Sequence, residues 1–228
     1  MTRQFIVGSG QSNALGGDGG TGGDQTINPR VKVWNGSAWV VAMLGVAPFA
    51  TDVPIRNNAI WHFCKKLQER EDCDVYLVLS AKGNTPIADW QAPSGPEWVK
   101  LNTAVQGAAA SSELVGKPVD YFIWFQGEAD GSNPNYRADF VAFREAAKAA
   151  GWMTRDTPVL AGEILNKNAL SYTAIKGMSD DFPWFRMVPN KGADRVGYPG
   201  SAHFTGDGYA YYGRSLFYPA SLITPKLP

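Results

Sequence analysis

The residues best equipped for chemistry stand in four short stretches. They are Gly8-Ser9-Gly10-Gln11-Ser12-Asn13 near the start of the chain, "AKGNTPIADW" at Ala81–Trp90, "QGEAD" at Gln126–Asp130, and His203 in "YPGSAHFTGDGY". The first stretch admits two chemistries: glycines at a strand exit can cradle a phosphate on their amides, or the turn can present a nucleophilic serine. A dinucleotide cradle needs G-x-G-x-x-G, but Asn13 stands where the third glycine belongs, and no Walker-type lysine follows. The nucleotide reading is set aside on that ground. A nucleophilic serine needs a base, and the chain has two histidines, His62 and His203. His62 lies in "IWHFCKK", where Ile60, Phe63 and Leu67 mark the inward face of a helix and put His62 on its flank, as a surface side chain. His203 precedes a C-terminal helix, where a loop can carry it over a sheet edge. Paired with Ser12 or Ser9, it would take the serine proton and return it to the leaving group. An imidazole base predicts a rate that rises as the ring loses its proton.

These stretches are far apart in the chain, so a fold must gather them. "QFIVG" (Gln4–Gly8), "VYLVLSA" (Val75–Ala81), "VDYFIWF" (Val119–Phe125) and "TPVLAG" (Thr157–Gly162) are continuously apolar, the pattern of parallel strands covered on both faces. Helical spacing lies between them: Ile60, Phe63, Cys64 and Leu67; Trp98, Leu101 and Val105; Tyr136, Phe140, Phe143 and Ala147. Strand and helix in alternation predict an α/β fold, a three-layer α/β/α sandwich around a mostly parallel, flavodoxin-like sheet. Residues 1–228 read as one domain. "VKVWNGSAWVVA" (Val31–Ala42) brackets Asn35-Gly36, a two-residue turn signal, and predicts a small β-hairpin insertion. A last helix is expected from about Gly206, with Thr205 as its N-cap, to about Phe217. Ligands of open parallel sheets sit beyond the carboxyl ends of the strands. Ser9 to Asn13, Ala81 to Trp90, Gln126 to Asp130 and Glu163 all follow such ends and would converge on one edge.

Bulk composition narrows the partners. Twenty-one Lys and Arg balance twenty-one Asp and Glu, which argues against a nucleic acid or a membrane surface. Eight Trp, nine Tyr and eleven Phe exclude the disordered class and suit a neutral, sugar-like partner. Cys64 and Cys73 form neither a disulfide framework nor a zinc pattern, so Cys64 is expected to be a buried thiol. "MTRQFIV" lacks the apolar run of a signal peptide and no stretch could span a bilayer, so cytoplasmic synthesis is expected, with a virion-associated product equally open. "GGDGGTGGD" (Gly16–Asp24) reads as a flexible surface connection; a substrate-embracing loop, or a calcium site on Asp18 and Asp24, are the alternatives.

Taken in order, "GQSN", "KGNTPIADW", "WFQGEAD" and "HFTGDGY" resemble the SGNH/GDSL hydrolases, and more narrowly their sialate O-acetylesterase-like branch of carbohydrate esterases, over nearly the whole chain. The resemblance implies that Ser12 is the nucleophile, with Ser9 its rival, and His203 the base. It implies an oxyanion hole made of the backbone N–H of Ser12, the backbone N–H of Gly83 and the side-chain amide of Gln126, each donor worth ~3 kcal/mol in the transition state. Two positions depart from the pattern. Relatives often carry Asp three residues before the histidine, where this chain has Gly200. Glu128 is then the first choice to orient His203, Glu163 the next, and a backbone carbonyl the third. Asp207 reads simply as an acid in the first turn of a helix. Asn84 stands where relatives have a second glycine; Asn tolerates left-handed backbone, and its amide could add a donor. Asn84, Trp90 and Asn57 are the expected substrate contacts, against packing for Trp90 and a place beside a helix cap for Asn57. Trp34 and Trp39 could stack on sugar rings or pack beneath the hairpin, and Asp130 is expected to fix its own loop by local hydrogen bonds. The implied activity is removal of O-acetyl groups from acetylated carbohydrates through an acetyl-Ser12 intermediate, with no metal or organic cofactor. A catalytically inactive carbohydrate-binding module on the same fold is the alternative.

Overall fold

The apolar runs form strands, and their alternation within each run divides the core. The computed structural model describes residues 2–17, 22–46, 48, 51, 56–193 and 203–223. In chain order it contains β1 (Arg3–Gly10), α1 (Ser12–Leu15), β2 (Val31–Trp34), β3 (Trp39–Val41), α2 (Ala59–Glu71), β4 (Asp74–Ala81), α3 (Pro96–Ala109), β5 (Tyr121–Phe125), α4 (Tyr136–Ala149), β6 (Val159–Gly162), α5 (Leu170–Asp181), β7 (Phe185–Val188) and α6 (Gly206–Ile223). Phe5, Val7, Tyr76, Val78, Phe122 and Trp124 point to one face and pack with α3, α4 and α5 through Leu101, Phe140, Phe143 and Ile175. Their neighbours Ile6, Leu77 and Ile123 point to the other, against Ile60, Phe63 and Leu216 of α2 and α6. This two-residue alternation with both sides apolar is what a doubly covered sheet requires.

The seven strands lie in the order β3-β2-β4-β1-β5-β6-β7. From β4 to β7 all neighbours are parallel, and without the hairpin the order is the flavodoxin-like one. The hairpin joins the sheet: β2 runs parallel to β4 and β3 closes that edge antiparallel. Its turn is longer than Asn35-Gly36 suggested. The last pair is Trp34 with Trp39, leaving a four-residue loop, in which Asn35 Oδ1 accepts from the N–H groups of Ser37 (3.1 Å) and Ala38 (2.9 Å). A side chain that imitates a backbone turn replaces the tight turn, and the Trp34 and Trp39 rings pack edge to face at 5.2 Å across it. Trp39 donates Nε1–H to Ser111 Oγ at 2.9 Å, just past α3, and the Trp34 ring lies against Gly107 of α3. Strand β7 and helix α5 were not anticipated from the sequence.

Caps set two helices that matter below. Asn58 Oδ1 accepts from Trp61 N at 2.8 Å and starts α2; Thr205 Oγ1 accepts from Gly208 N at 3.0 Å and starts α6. α6 runs past Phe217 to Ile223 because Ala220, beyond Pro219, is still in the core. The expectation for His62 was wrong. α6 covers that flank of α2 so closely that a Cβ on Gly213 would lie 2.5 Å from His62 Cβ, and His62 is 3 % exposed. Cys64 and Cys73 are both buried, and burial pushes the Cys73 thiol up to about 11. Among the described residues no helix is long and apolar enough to cross a membrane, and no cluster of His, Cys, Asp and Glu could hold a metal ion. Asp24 pairs with Lys65 at 2.9 Å, whereas Asp18 lies outside the described residues.

Candidate active site

β1 ends at Gly10, whose φ is +131°. A Cβ there would run into the carbonyl of Phe125, so the glycine serves the close passage of β1 beside β5. Gln11 N donates to Phe125 O at 2.7 Å and Lys82 N to Gly10 O at 3.0 Å, which locks the ends of β1, β4 and β5 together. The chain then turns into the single turn of α1, with Ser12 as its first residue. Ser12 is partly exposed, whereas Ser9, still inside β1, is 0 % exposed. Of the two serines, only Ser12 is accessible to a substrate.

The loop after β4 approaches that turn. A Cβ on Gly83 would lie 4.0 Å from Ser12 Cβ. Asn84 adopts the left-handed conformation, φ +56°, which lets the turn form without a second glycine. Thr85 Oγ1 donates to Lys82 O at 2.8 Å and closes the loop. Gln126 lies beneath it, 0 % exposed. Its Nε2 donates to Thr85 O at 3.1 Å and to Asp130 Oδ2, so both amide hydrogens are spent on protein acceptors. In this arrangement Gln126 braces the loop instead of offering a donor to an oxyanion. The acceptors, a carbonyl and a carboxylate, dictate that orientation of the amide.

His203, the expected base, arrives from the far end of the chain. Gly17, just after α1, has φ +44°, and a Cβ on it would lie 2.6 Å from His203 Cγ and 2.9 Å from the Tyr209 hydroxyl. His203 therefore rests on the chain immediately following the serine turn. Tyr209 of α6 donates to Asn13 Oδ1 at 2.8 Å, and Asn13 Nδ2 donates to Glu128 Oε1 at 2.8 Å. These bonds tie the Ser12 turn, α6 and the loop after β5 into one unit. Asn13 and Tyr209 were not singled out from the sequence, although Asn13 belongs to "GQSN" and could have been.

Glu128 carries the main electrostatic tension. Burial pushes its carboxyl above the usual range, opposed by the Asn13 hydrogen bond and by the charge of His203. Its Oε2 is buried with no hydrogen-bond partner among the described residues. Glu163, the second choice, is otherwise engaged: Oε2 accepts from Asn190 N at 2.9 Å and Oε1 pairs with Lys167 at 3.2 Å. Asp207 Oδ1 accepts from Gly23 N at 2.5 Å, so this first-turn acid also clamps the glycine-rich loop. Gly200 lies outside the described residues.

Two expected substrate contacts prove internal. Trp90 is 0 % exposed, packs edge to face on Trp124 at 5.5 Å and turns its Nε1 toward Thr85 Oγ1. It supports the loop from below. Asn57 is 2 % exposed, with Oδ1 2.6 Å from His62 Nε2 and Nδ2 donating to Gly22 O at 2.7 Å, so both ends of its amide are taken. Asn84 alone of the three is exposed.

A family model described as carbohydrate esterase, sialic acid-specific acetylesterase, matches residues 2–220. Among solved structures the chain is similar to an Arabidopsis thaliana protein, at 16 % identity over 96 % of this chain and 98 % of that one, with a TM-score of 0.80. It is similar to NanS at 15 % identity over 97 % and 96 % of the two chains, TM-score 0.63. A carbohydrate acetylesterase from Xanthomonas citri aligns at 17 % identity over 96 % of this chain and 55 % of its own, TM-score 0.63. At these identities the structural matches speak to the fold. No curated protein sequence matches the chain.

Proposed function

Because this chain belongs to the sialic acid-specific acetylesterase family of carbohydrate esterases, we propose that it is a serine esterase that removes O-acetyl groups from acetylated carbohydrates through an acetyl-Ser12 intermediate. What supports the reading is one juxtaposition: the ring of His203 abuts Gly17 and the Gly83 loop abuts Ser12, so a base and a donor loop flank the same short turn. Ser12 Oγ bonds to the acetyl carbon as its proton passes to His203, and the carbonyl electron pair moves onto oxygen. The N–H of Ser12, in the unsatisfied first turn of α1, and the N–H of Gly83 receive that oxyanion. Collapse breaks the bond to the sugar oxygen, which leaves as an alcohol with the proton from His203. Water, giving its proton to His203, then releases acetate and restores Ser12. Glu128 acts on His203 through its charge: a buried carboxylate within electrostatic reach stabilises the imidazolium formed in each step.

The test is acetate release from p-nitrophenyl acetate and from O-acetylated sialic acid, comparing the wild-type chain with Ser12→Ala. Turnover abolished by the substitution supports the reading. Turnover that survives it, or a folded wild-type protein that binds acetylated glycans without cleaving them, overturns it, and the latter result identifies a binding module.

A further inference from the structure

We propose that Asp130 is a positioning residue that sets the oxyanion loop at its working distance from Ser12. The inference rests on the esterase reading above. Its basis is a convergence of hydrogen bonds that sequence proximity does not explain. Asp130 Oδ2 accepts from Ile87 N at 2.8 Å, 43 residues away, and from Gln126 Nε2. The same Gln126 Nε2 donates to Thr85 O at 3.1 Å, and Gln126 O accepts from the buried Tyr136 hydroxyl at 2.9 Å. Asp130 itself is 6 % exposed and is held in its own turn by N–H donation to Gly127 O at 3.1 Å and by Asn133 Nδ2 at 3.3 Å on Oδ1.

The consequence for the loop is mechanical. Its start is tied to β1 through Lys82 N and Gly10 O at 3.0 Å. Its end is tied, through Thr85 O and Ile87 N, to Gln126 and Asp130. Between these anchors stand Gly83 and Asn84, both exposed. The direction of the Gly83 N–H is therefore set by anchors on either side, and one of them ends in a single carboxylate. An acid suits this place because one oxygen must accept two donors, and charge-assisted bonds are roughly twice as strong as neutral ones. Asparagine has the shape and an oxygen able to accept the same two donors, but without the charge, and its amide hydrogens would face Asn133 Nδ2, which donates to Oδ1. Asp130 touches no reacting atom in this scheme; it acts through Gln126 and the loop.

The experiment measures kcat and KM of the full chain and of Asp130→Ala and Asp130→Asn on p-nitrophenyl acetate and on its thionoester, with thermal unfolding alongside and Ser12→Ala as control. Sulfur in place of the carbonyl oxygen is a poorer acceptor, so the oxygen-over-sulfur preference reports the oxyanion hole and not general stability. Expected are a kcat about 100-fold lower in Asp130→Ala, as for a roughly 1 Å misplacement, a KM within about twofold by the same argument, a smaller loss in Asp130→Asn, and a narrowed oxygen preference in both. A folded variant with wild-type kcat, or a loss of kcat with the preference unchanged, overturns the inference. Should Asp130→Ala fail to fold, Asp130→Asn is held to the same two criteria. Ser12→Ala with full turnover would overturn the esterase reading and this inference with it, whereas inactive Ser12→Ala beside fully active Asp130→Ala overturns this inference alone.

Discussion

Replacing Gly17 by alanine should disable the site without removing a reacting group. The new Cβ would lie 2.6 Å from His203 Cγ and 2.8 Å from its Cδ2. Ordinary carbon contact begins near 3.5 Å, so the ring or the chain must give by about 1 Å. The backbone resists such relief, because φ at Gly17 is +44° and alanine in left-handed backbone costs ~1 kcal/mol by itself. Displacing a catalytic base by about 1 Å costs on the order of 100-fold in rate. Gly116→Ala is the matched control: φ there is +72°, but nothing lies within 4 Å of its Cβ. Gly116→Ala should lose ~1 kcal/mol of stability, about 2–4 °C in Tm for a chain of this length, and Gly17→Ala at least as much because of the added clash. Only Gly17→Ala should lose kcat on p-nitrophenyl acetate. Wild-type kcat in Gly17→Ala, or equal losses in the two variants, would refute the placement of His203 against this glycine.

Two further predictions concern buried charge. Burial, reinforced by the Lys65 and Arg214 charges, holds His62 down to about 4 from its ordinary 6.5. As pH falls from about 6.5 to about 4 the unfolded chain takes up that proton first, so stability is lost across this window by roughly 3 kcal/mol. His62→Gln, neutral and able to donate to Asn57, should flatten that part of the pH dependence in urea unfolding; parallel wild-type and variant curves would sink the idea. Glu128 has the opposite sign: its raised carboxyl favours the neutral form, so stability falls as pH rises through the ordinary glutamate range toward the raised value. Glu128→Gln should therefore be at least as stable as the wild type at neutral pH while losing about 100-fold in kcat. Loss of stability and activity together in thermal unfolding and kinetics would contradict this.

The sequence by itself determined the parallel strands β1, β4, β5 and β6, the helices α2, α3 and α4 between them, the cap at Thr205, and the edge of the sheet on which to look. Each of these is written in local pattern: an apolar run, a 3.6-residue rhythm, a side chain able to cap a first turn. The place of Ser12 just past the exit of β1 was legible for the same reason, since the motif and the strand exit coincide. Tertiary structure alone decided what covers each polar face. Periodicity puts His62 on a flank of α2, but α6, formed from residues far along the chain, buries that flank. Trp90 and Asn57, both expected at the substrate, turn inward, because the Trp124 ring and the His62–Gly22 pair supply better partners than solvent. The hydrogens of Gln126 go to Thr85 and Asp130 because acceptors from two other turns meet there. Hydrogen-bond direction depends on which acceptors the fold brings together, and spacing along one chain carries no record of that.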